Sequence, residues 1–210
     1  MEDFYDPYRE TDRRKHLLPH WQQGMTWIFV TWRLADSLPA SKLREWKSER
    51  LAWLSHHPQP WDAATEQDYH QRFSQQLDDW LDQGAGVCLL RDPGNASIVA
   101  EALRHFDGSR YELASFVVMP NHVHVLFRPL GSYTLAQVMK SWKGFTARAI
   151  NQRSGRQGSL WQDEYWDRMI RHQQHFQKVM NYIRRNPEKA GLGKGQHVLE
   201  ITRERPWAVE

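Results

Sequence analysis

Apolar positions are densest over residues 115–128, which read SFVVMPNHVHVLFR, a run broken only by Pro120-Asn121 before His-Val-His. Read as a strand, residues 123–128 alternate faces, so that His122, His124, Leu126 and Arg128 share one side and Val123, Val125 and Phe127 the other. Residues two apart on a strand are about 6.6 Å apart at Cα, from a rise of ~3.3 Å per residue, so two imidazoles there can lean onto one cation. The apolar run 111–119 predicts the preceding strand, and the tight turn at Pro120-Asn121 predicts antiparallel pairing of the two. An earlier strand is predicted over 26–34 (TWIFVTWRL), with Trp27, Phe29 and Thr31 on one face, Ile28, Val30 and Trp32 on the other, and both faces covered.

Helical spacing dominates elsewhere. Residues 40–56 carry a rough stripe of Leu43, Trp46, Leu51 and Leu54, broken by HHPQPW at 56–61. A helix near 63–83 places Tyr69, Phe73, Leu77, Trp80 and Leu81 together. Another, about 95–106, has Ile98, Val99, Ala102, Leu103 and Phe106 on one face, and one over 134–152 carries Leu135, Val138, Met139, Trp142, Phe145, Thr146 and Ala149. Residues 160–170 (LWQDEYWDRMI) read as an edge strand, and a last helix over 172–186 is expected to stop at Asn186-Pro187, because the residue before proline is pushed out of the helical region. Residues 1–24 read as polar and irregular. The order strand, helices, two strands, helix, strand, helix suits an α+β sandwich, with helices packed on an antiparallel sheet. One domain over 1–210 is expected, with a helical insertion over about 38–90.

Charge changes the picture of the second half. Residues 131–210 hold 14 Lys and Arg against 7 Asp and Glu, while residues 1–130 hold 14 against 18. The basic stretch, about 131–195, interleaves its cations with aromatic residues, a combination suited to phosphate neutralisation and base stacking and equally to solvated helix faces. Lys140, Lys143, Arg148, Arg153, Arg156, Arg168, Lys178, Arg184 and Arg185 are the candidate nucleic-acid contacts, with Trp142, Trp161 and Trp166 as stacking candidates, at least two of which are expected in the core. No apolar stretch approaches the ~18–20 residues that span a bilayer, so no membrane role is expected. No signal peptide is read at the N-terminus, and the single Cys88 excludes an intrachain disulfide, which suits a reducing, cytoplasmic setting.

On the last helix Phe176, Val179, Met180 and Ile183 make the buried stripe, and Tyr182 falls roughly 110° from its centre at ~100° per residue. His175, Lys178, Tyr182 and Asn186 lie along the flank, Tyr182 and Asn186 one turn apart. Alone, Tyr182 reads as a boundary residue, Asn186 as a cap before proline, and His-x-His as a feature of plain surface strands as often as of metal sites. Together, two imidazoles and an amide are three neutral ligands with open positions, a set that suits a catalytic cation.

At this point the chain resembles the single-tyrosine HUH transposases, in particular the REP-associated tyrosine transposases. The segments that carry the resemblance are WIFVTWRLADSLP, HFDGSRY, VVMPNHVHVLF, SWKGFTARAIN, LWQDEYWDRMIR and NYIRRNPEKAGL, which span most of residues 16–193. It implies that His122 and His124 are the HUH histidines, Tyr182 the nucleophile and Asn186 the third metal ligand. It also implies a ferredoxin-like fold with a central antiparallel sheet bearing the HUH strand. The implied activity is cleavage and joining of single-stranded DNA beside a REP-like hairpin, through a 5′-phosphotyrosine. Mg²⁺ or Mn²⁺ is the implied cofactor, with no nucleotide cofactor; the protein is expected to act as a monomer or homodimer associated with the nucleoid. Two departures stand out: the insertion over 38–90 has no assigned role, and Asn121 stands where some relatives have a glutamate. Tyr165 is the rival nucleophile. A domesticated, catalytically silent hairpin-binding protein is the alternative. A metal-dependent hydrolase is a third reading, with Asp163, Glu164 and Asp167 its available carboxylates.

Overall fold

A computed structural model describes residues 4–6, 9, 11–15, 19–58, 61–204 and 206. The strand that carries His-Val-His is the middle of its sheet. Strand β3 (Ile28–Arg33) and strand β4 (Tyr111–Val118) flank strand β5 (His122–Pro129), strand β6 (Trp166–Met169) pairs with β3, and strand β7 (Val198–Ile201) with β4. The order is β6-β3-β5-β4-β7 with every pairing antiparallel. Without β7 this is the strand order of the ferredoxin-like βαββαβ unit. Strand β1 (Asp12–Lys15) and strand β2 (Pro19–Gln22) form a separate hairpin where the sequence predicts irregular chain.

The alternation expected for β3 and β5 holds on both sheet faces. Ile28, Val30, Trp32, Val123, Val125 and Phe127 pack under helix α4 (Pro93–Arg104) and helix α5 (Leu135–Arg153) in the larger core cluster. Trp27 and Leu126 face the other way, against Phe176, Val179, Met180 and Ile183 of helix α6 (Gln173–Lys189). Both helix starts are capped: Asp92 accepts from the Asn95 amide with Pro93 in the first turn, and Thr134 and Gln137 form a reciprocal capping box.

The insertion consists of helix α1 (Ala40–His56), helix α2 (Ala63–Tyr69), a π-helical stretch (His70–Gln75) and helix α3 (Gln76–Asp82). The break between α1 and α2 falls at HHPQPW as expected, with Gln59 and Pro60 outside the described residues. Trp46, Trp53 and Phe73 give the insertion its own core, and Trp166 of β6 packs against it, 5.9 Å from Trp46 at right angles.

Three boundaries differ from the expectation. The edge strand over 160–170 shrinks to Trp166–Met169, because Trp161 turns into the core and meets Leu34 only as an isolated bridge. Helix α6 does not stop at Asn186-Pro187 but runs to Lys189. In the last turn the residues after Pro187 still supply donors to the orphan carbonyls, Ala190 to Asn186 and Leu192 to Pro187. Strand β7 is not foreseen at all; Thr202 and Arg203 anchor its end through their amides to Ala114.

Candidate active site

His122 and His124 point from β5 toward α6, both fully buried, with ring centroids 4.7 Å apart. Cross-strand pairing sets one of them: Thr31 lies opposite His124 on β3, and its Oγ1 is 2.7 Å from His124 Nδ1. The other is set by its own neighbour. Asn121 donates through Nδ2 to the carbonyls of Leu81 and Ala85, both at 3.1 Å, which commits its Oδ1 as the acceptor of His122 Nδ1–H at 2.7 Å. His122 Nε2 is left with a lone pair and no hydrogen-bond partner. Such a bond on one ring nitrogen, fixing the tautomer that bares the other, is the usual support of a metal-binding imidazole.

Tyr182 completes the group, its hydroxyl 3.3 Å from His124 Nε2. The Phe29 ring lies against both residues, stacked on His124 at 5.6 Å and edge-on to Tyr182 at 5.7 Å. One turn further along α6, Asn186 is buried with neither amide atom hydrogen-bonded. It therefore does not cap the helix. Of the two candidate tyrosines the fold brings Tyr182 to the histidines; Tyr165 packs on the opposite core cluster, 5.8 Å beneath the Lys143 ammonium.

Burial decides the protonation states. It lowers the pKa of His122 to about 3 and that of His124 well below the ordinary range, and the positive field of Lys189 adds to both effects. Both imidazoles are neutral at pH 7, the form that binds a metal. Tyr182 is pushed well above the usual phenol range by burial first, then by Asp78, Asp82 and Asp79. The surroundings thus favour the phenol: Lys178 is exposed and the nearer charges are carboxylates.

These carboxylates come from the insertion. Asp78 interacts with the Tyr182 hydroxyl, and burial raises the Asp78 carboxyl to about 7. Asp82, one turn on, has Oδ1 4.0 Å from His122 Nε2, and burial raises its pKa too. Sequence reasoning missed both. Their signal was LDDWLD, which places Asp78 and Asp82 at i, i+4 beside the buried Leu77 and Leu81. Asp163, Glu164 and Asp167, the acidic residues that sequence offers, are not the ones beside the histidines: Lys143 holds the Asp163 carbonyl, and Asp167 lines the cleft described next.

A cleft of about 1090 Å³ opens between the insertion, the β6 edge and α6. Phe29, Tyr69, Trp166, Arg50, Arg168, Arg171, Lys178, Asp78 and Tyr182 are among its lining residues. The predicted cations divide accordingly. Arg168 and Lys178 line the cleft. Lys140, Lys143 and Arg148 lie on α5, across the sheet from the histidines, where Lys143 is committed to the carbonyls of Gln162 and Asp163 at 2.7 Å each. Arg153 pairs with Asp92, Arg184 with Glu204, and Arg156 and Arg185 are exposed. Trp142 and Trp161 are core residues, leaving Trp166 at the cleft.

The donors are two neutral imidazoles, that of His122 with its tautomer fixed by Asn121, and one turn past Tyr182 an unsatisfied buried amide, a set that fits a divalent cation with open positions. No three His, Cys, Asp or Glu side chains among the described residues stand as a ready metal-holding group, and no helix among them is long and apolar enough to cross a membrane.

The site is thus a buried histidine pair on the central strand of an antiparallel sheet, facing a helix-borne tyrosine. Residues 96–186 match the family model described as transposase IS200 like, a stretch that contains both histidines, Tyr182 and Asn186. The resemblance read from the motifs is thus borne out, and the match supports a transposase role. Two solved structures are similar. One is a REP-associated tyrosine transposase bound to a REP hairpin, at 14% identity and TM-score 0.40, covering 88% of this chain and 77% of that one. The other is a structure from Deinococcus radiodurans described as a transposase, at 16% identity and TM-score 0.32, covering 76% and 89%. At that distance neither likeness carries weight beside the site itself. No curated protein matches the chain.

Proposed function

We propose that the protein cleaves and rejoins single-stranded DNA beside a hairpin through a covalent bond between Tyr182 and the 5′-phosphate. The observation that carries this reading is the Tyr182 hydroxyl 3.3 Å from Nε2 of His124, within a pair of buried, neutral imidazoles. Packing alone does not call for a tyrosine, two histidines and an unsatisfied amide at one place. The hairpin is what the motif resemblance implies; the cleft of aromatic rings and guanidinium groups beside Tyr182 suits a single strand, whose bases stack on aromatic faces while cations track the phosphates.

His122, His124 and Asn186 would hold Mg²⁺ or Mn²⁺, which supplies Lewis-acid stabilisation of charge on a phosphate oxygen. The chain does the rest. Phe29 and His124 fix the phenol ring, so the hydroxyl is presented in one direction. Its oxygen attacks phosphorus, the bond to the 3′ oxygen breaks, and the strand leaves with a 3′-OH while the 5′-phosphate stays on Tyr182. The phenol proton passes to Asp78, which interacts with that hydroxyl and whose raised pKa suits a proton acceptor near neutrality, and the departing 3′ oxygen takes its proton from water. Because the phosphotyrosine retains a phosphodiester, rejoining needs no nucleoside triphosphate.

The test is trapping of a denaturation-stable adduct with a 3′-labelled hairpin oligonucleotide carrying a single-stranded flank. The wild-type chain and Tyr165→Phe should form it with Mn²⁺ present, and Tyr182→Phe should not. An adduct that persists in Tyr182→Phe, or cleavage with no adduct at all, sinks the reading; the latter would favour a hydrolase.

A further inference from the structure

The insertion has the look of an appendage in sequence, yet its last turn reaches the centre of the site. Asp82 ends α3 with its side chain only 9% exposed, and among its hydrogen-bonding opportunities Oδ1 is unfilled. That oxygen lies 4.0 Å from His122 Nε2, which is itself buried and unpartnered. Two donors each ~2.1 Å from one cation stand between roughly 3.0 Å (adjacent) and roughly 4.2 Å (opposite) apart, so 4.0 Å is within the reach of a shared ion. A buried carboxylate facing a neutral imidazole lone pair is otherwise a repulsive and poorly solvated arrangement.

What holds it is a cation already there. The Lys189 ammonium is 3.1 Å from Asp82 Oδ2 and 2.6 Å from Asp79 Oδ1. Lys189 lies one turn past Asn186 on α6, so the helix that carries the amide ligand and the tyrosine also carries the charge now balancing Asp82. An ammonium is a point charge that a divalent ion can replace, and Lys189 is 44% exposed, free to swing outward. Asp79, by contrast, is exposed on the solvent side of α3 and meets Lys189 only at the surface.

Resting on the proposed function, we propose that Asp82, which does not form a ready metal-holding group with the two histidines while the Lys189 ammonium holds it, becomes a fourth, anionic ligand to the same cation once that competing ammonium is displaced. It would supply from the insertion the carboxylate that Asn121 does not offer beside the first histidine. A neutral set of two imidazoles and an amide binds Mg²⁺ or Mn²⁺ weakly; one carboxylate raises the affinity for these hard ions and their preference over softer metals.

The experiment is Mn²⁺ binding to the full chain without DNA, read by the loss of the free-ion electron paramagnetic resonance signal and checked by calorimetry. Asp82→Asn keeps the shape and should weaken Mn²⁺ more than tenfold, Lys189→Gln should tighten it several-fold, and Asp79→Asn should change it less than twofold. Circular dichroism melts of each variant confirm the fold, and Asp82→Glu should recover part of the affinity. If the wild type binds Mn²⁺ and Asp82→Asn binds it equally well, or if Asp79→Asn weakens it as much, Asp82 is not a ligand while the proposed function stands. If the wild type binds no Mn²⁺, both fall.

Discussion

Asn121 sits at 1% exposure between two roles that no other residue type would combine. Its amide hydrogens tie down the carbonyls of Leu81 and Ala85 at the end of the insertion, and its oxygen fixes the tautomer of His122. Asn121→Ala would leave the buried His122 Nδ1–H without its acceptor and the Ala85 carbonyl without its amide donor, while Leu81 keeps the Gly84 amide, so a loss of ~1–3 kcal/mol in urea unfolding is expected. Since supporting groups of this kind typically carry 10–100-fold of metal affinity, Mn²⁺ binding should fall by more than tenfold in the same variant. Tyr182 makes the complementary point. Burial and three nearby carboxylates hold it as a phenol, so adduct formation should fall by at least an order of magnitude in Asp78→Asn, which keeps the contact but cannot accept the proton as readily. Single-turnover kinetics with the hairpin oligonucleotide measure this; an unchanged rate would remove Asp78 from the mechanism.

At the scale of elements, the insertion is held to the sheet by aromatic packing rather than by strand pairing. Trp46 is the centre of that contact, 2% exposed, edge-on to Trp166 and donating its indole N–H to the Phe73 carbonyl at 3.2 Å. Trp46→Ala should cost ~3–5 kcal/mol, the range for deleting a large buried ring. Because α3 carries Asp78 and Asp82, amide hydrogen exchange in residues 76–82 should accelerate in the same variant while that of β5 stays slow. Equal acceleration in both would mean that insertion and sheet unfold as one unit. Helix α6 shows the opposite arrangement. Its stripe of Phe176, Val179, Met180 and Ile183 locks it to the sheet, so the angular position of Tyr182 follows from where those four residues are buried.

For the whole molecule the buried titratable groups set a pH profile. Burial lowers His122 to about 3 and His124 well below the ordinary 6.5, so as pH falls below 6.5 the unfolded chain binds more protons on these residues and stability falls with it. The stability they lend is present above pH 6.5 and is lost on acidification, by up to ~1.4 kcal/mol per pH unit for each histidine. Asp78 works in the opposite sense. Its value is raised to about 7, so the folded state binds the extra proton between the ordinary 3.8 and 7 and part of the acid loss is offset. Denaturant unfolding from pH 8 to pH 4 should show a net decline beginning near pH 6.5, steeper in Asp78→Asn. A profile flat over that interval would show that the histidines are not held neutral by burial.

Periodicity in the sequence was enough to determine the two faces of β3 and β5, the core stripes of α4, α5 and α6, and the one-turn spacing of Tyr182 and Asn186. Those properties depend on residues a few positions apart, where the geometry of strand and helix dictates which side chains share a face. The motifs located His122, His124 and Tyr182, and the fold brought them together as the HUH resemblance implies. The tertiary structure decided the rest. That Asp82 lies 4.0 Å from a histidine forty residues later, that Lys143 and Arg148 lie across the sheet from the histidines, and that β7 closes the far edge are matters of long-range docking. No local spacing encodes them, because the free energy that selects such contacts comes from burying distant apolar surfaces against one another. His-Val-His is legible in the chain; the carboxylates beside it belong to the fold.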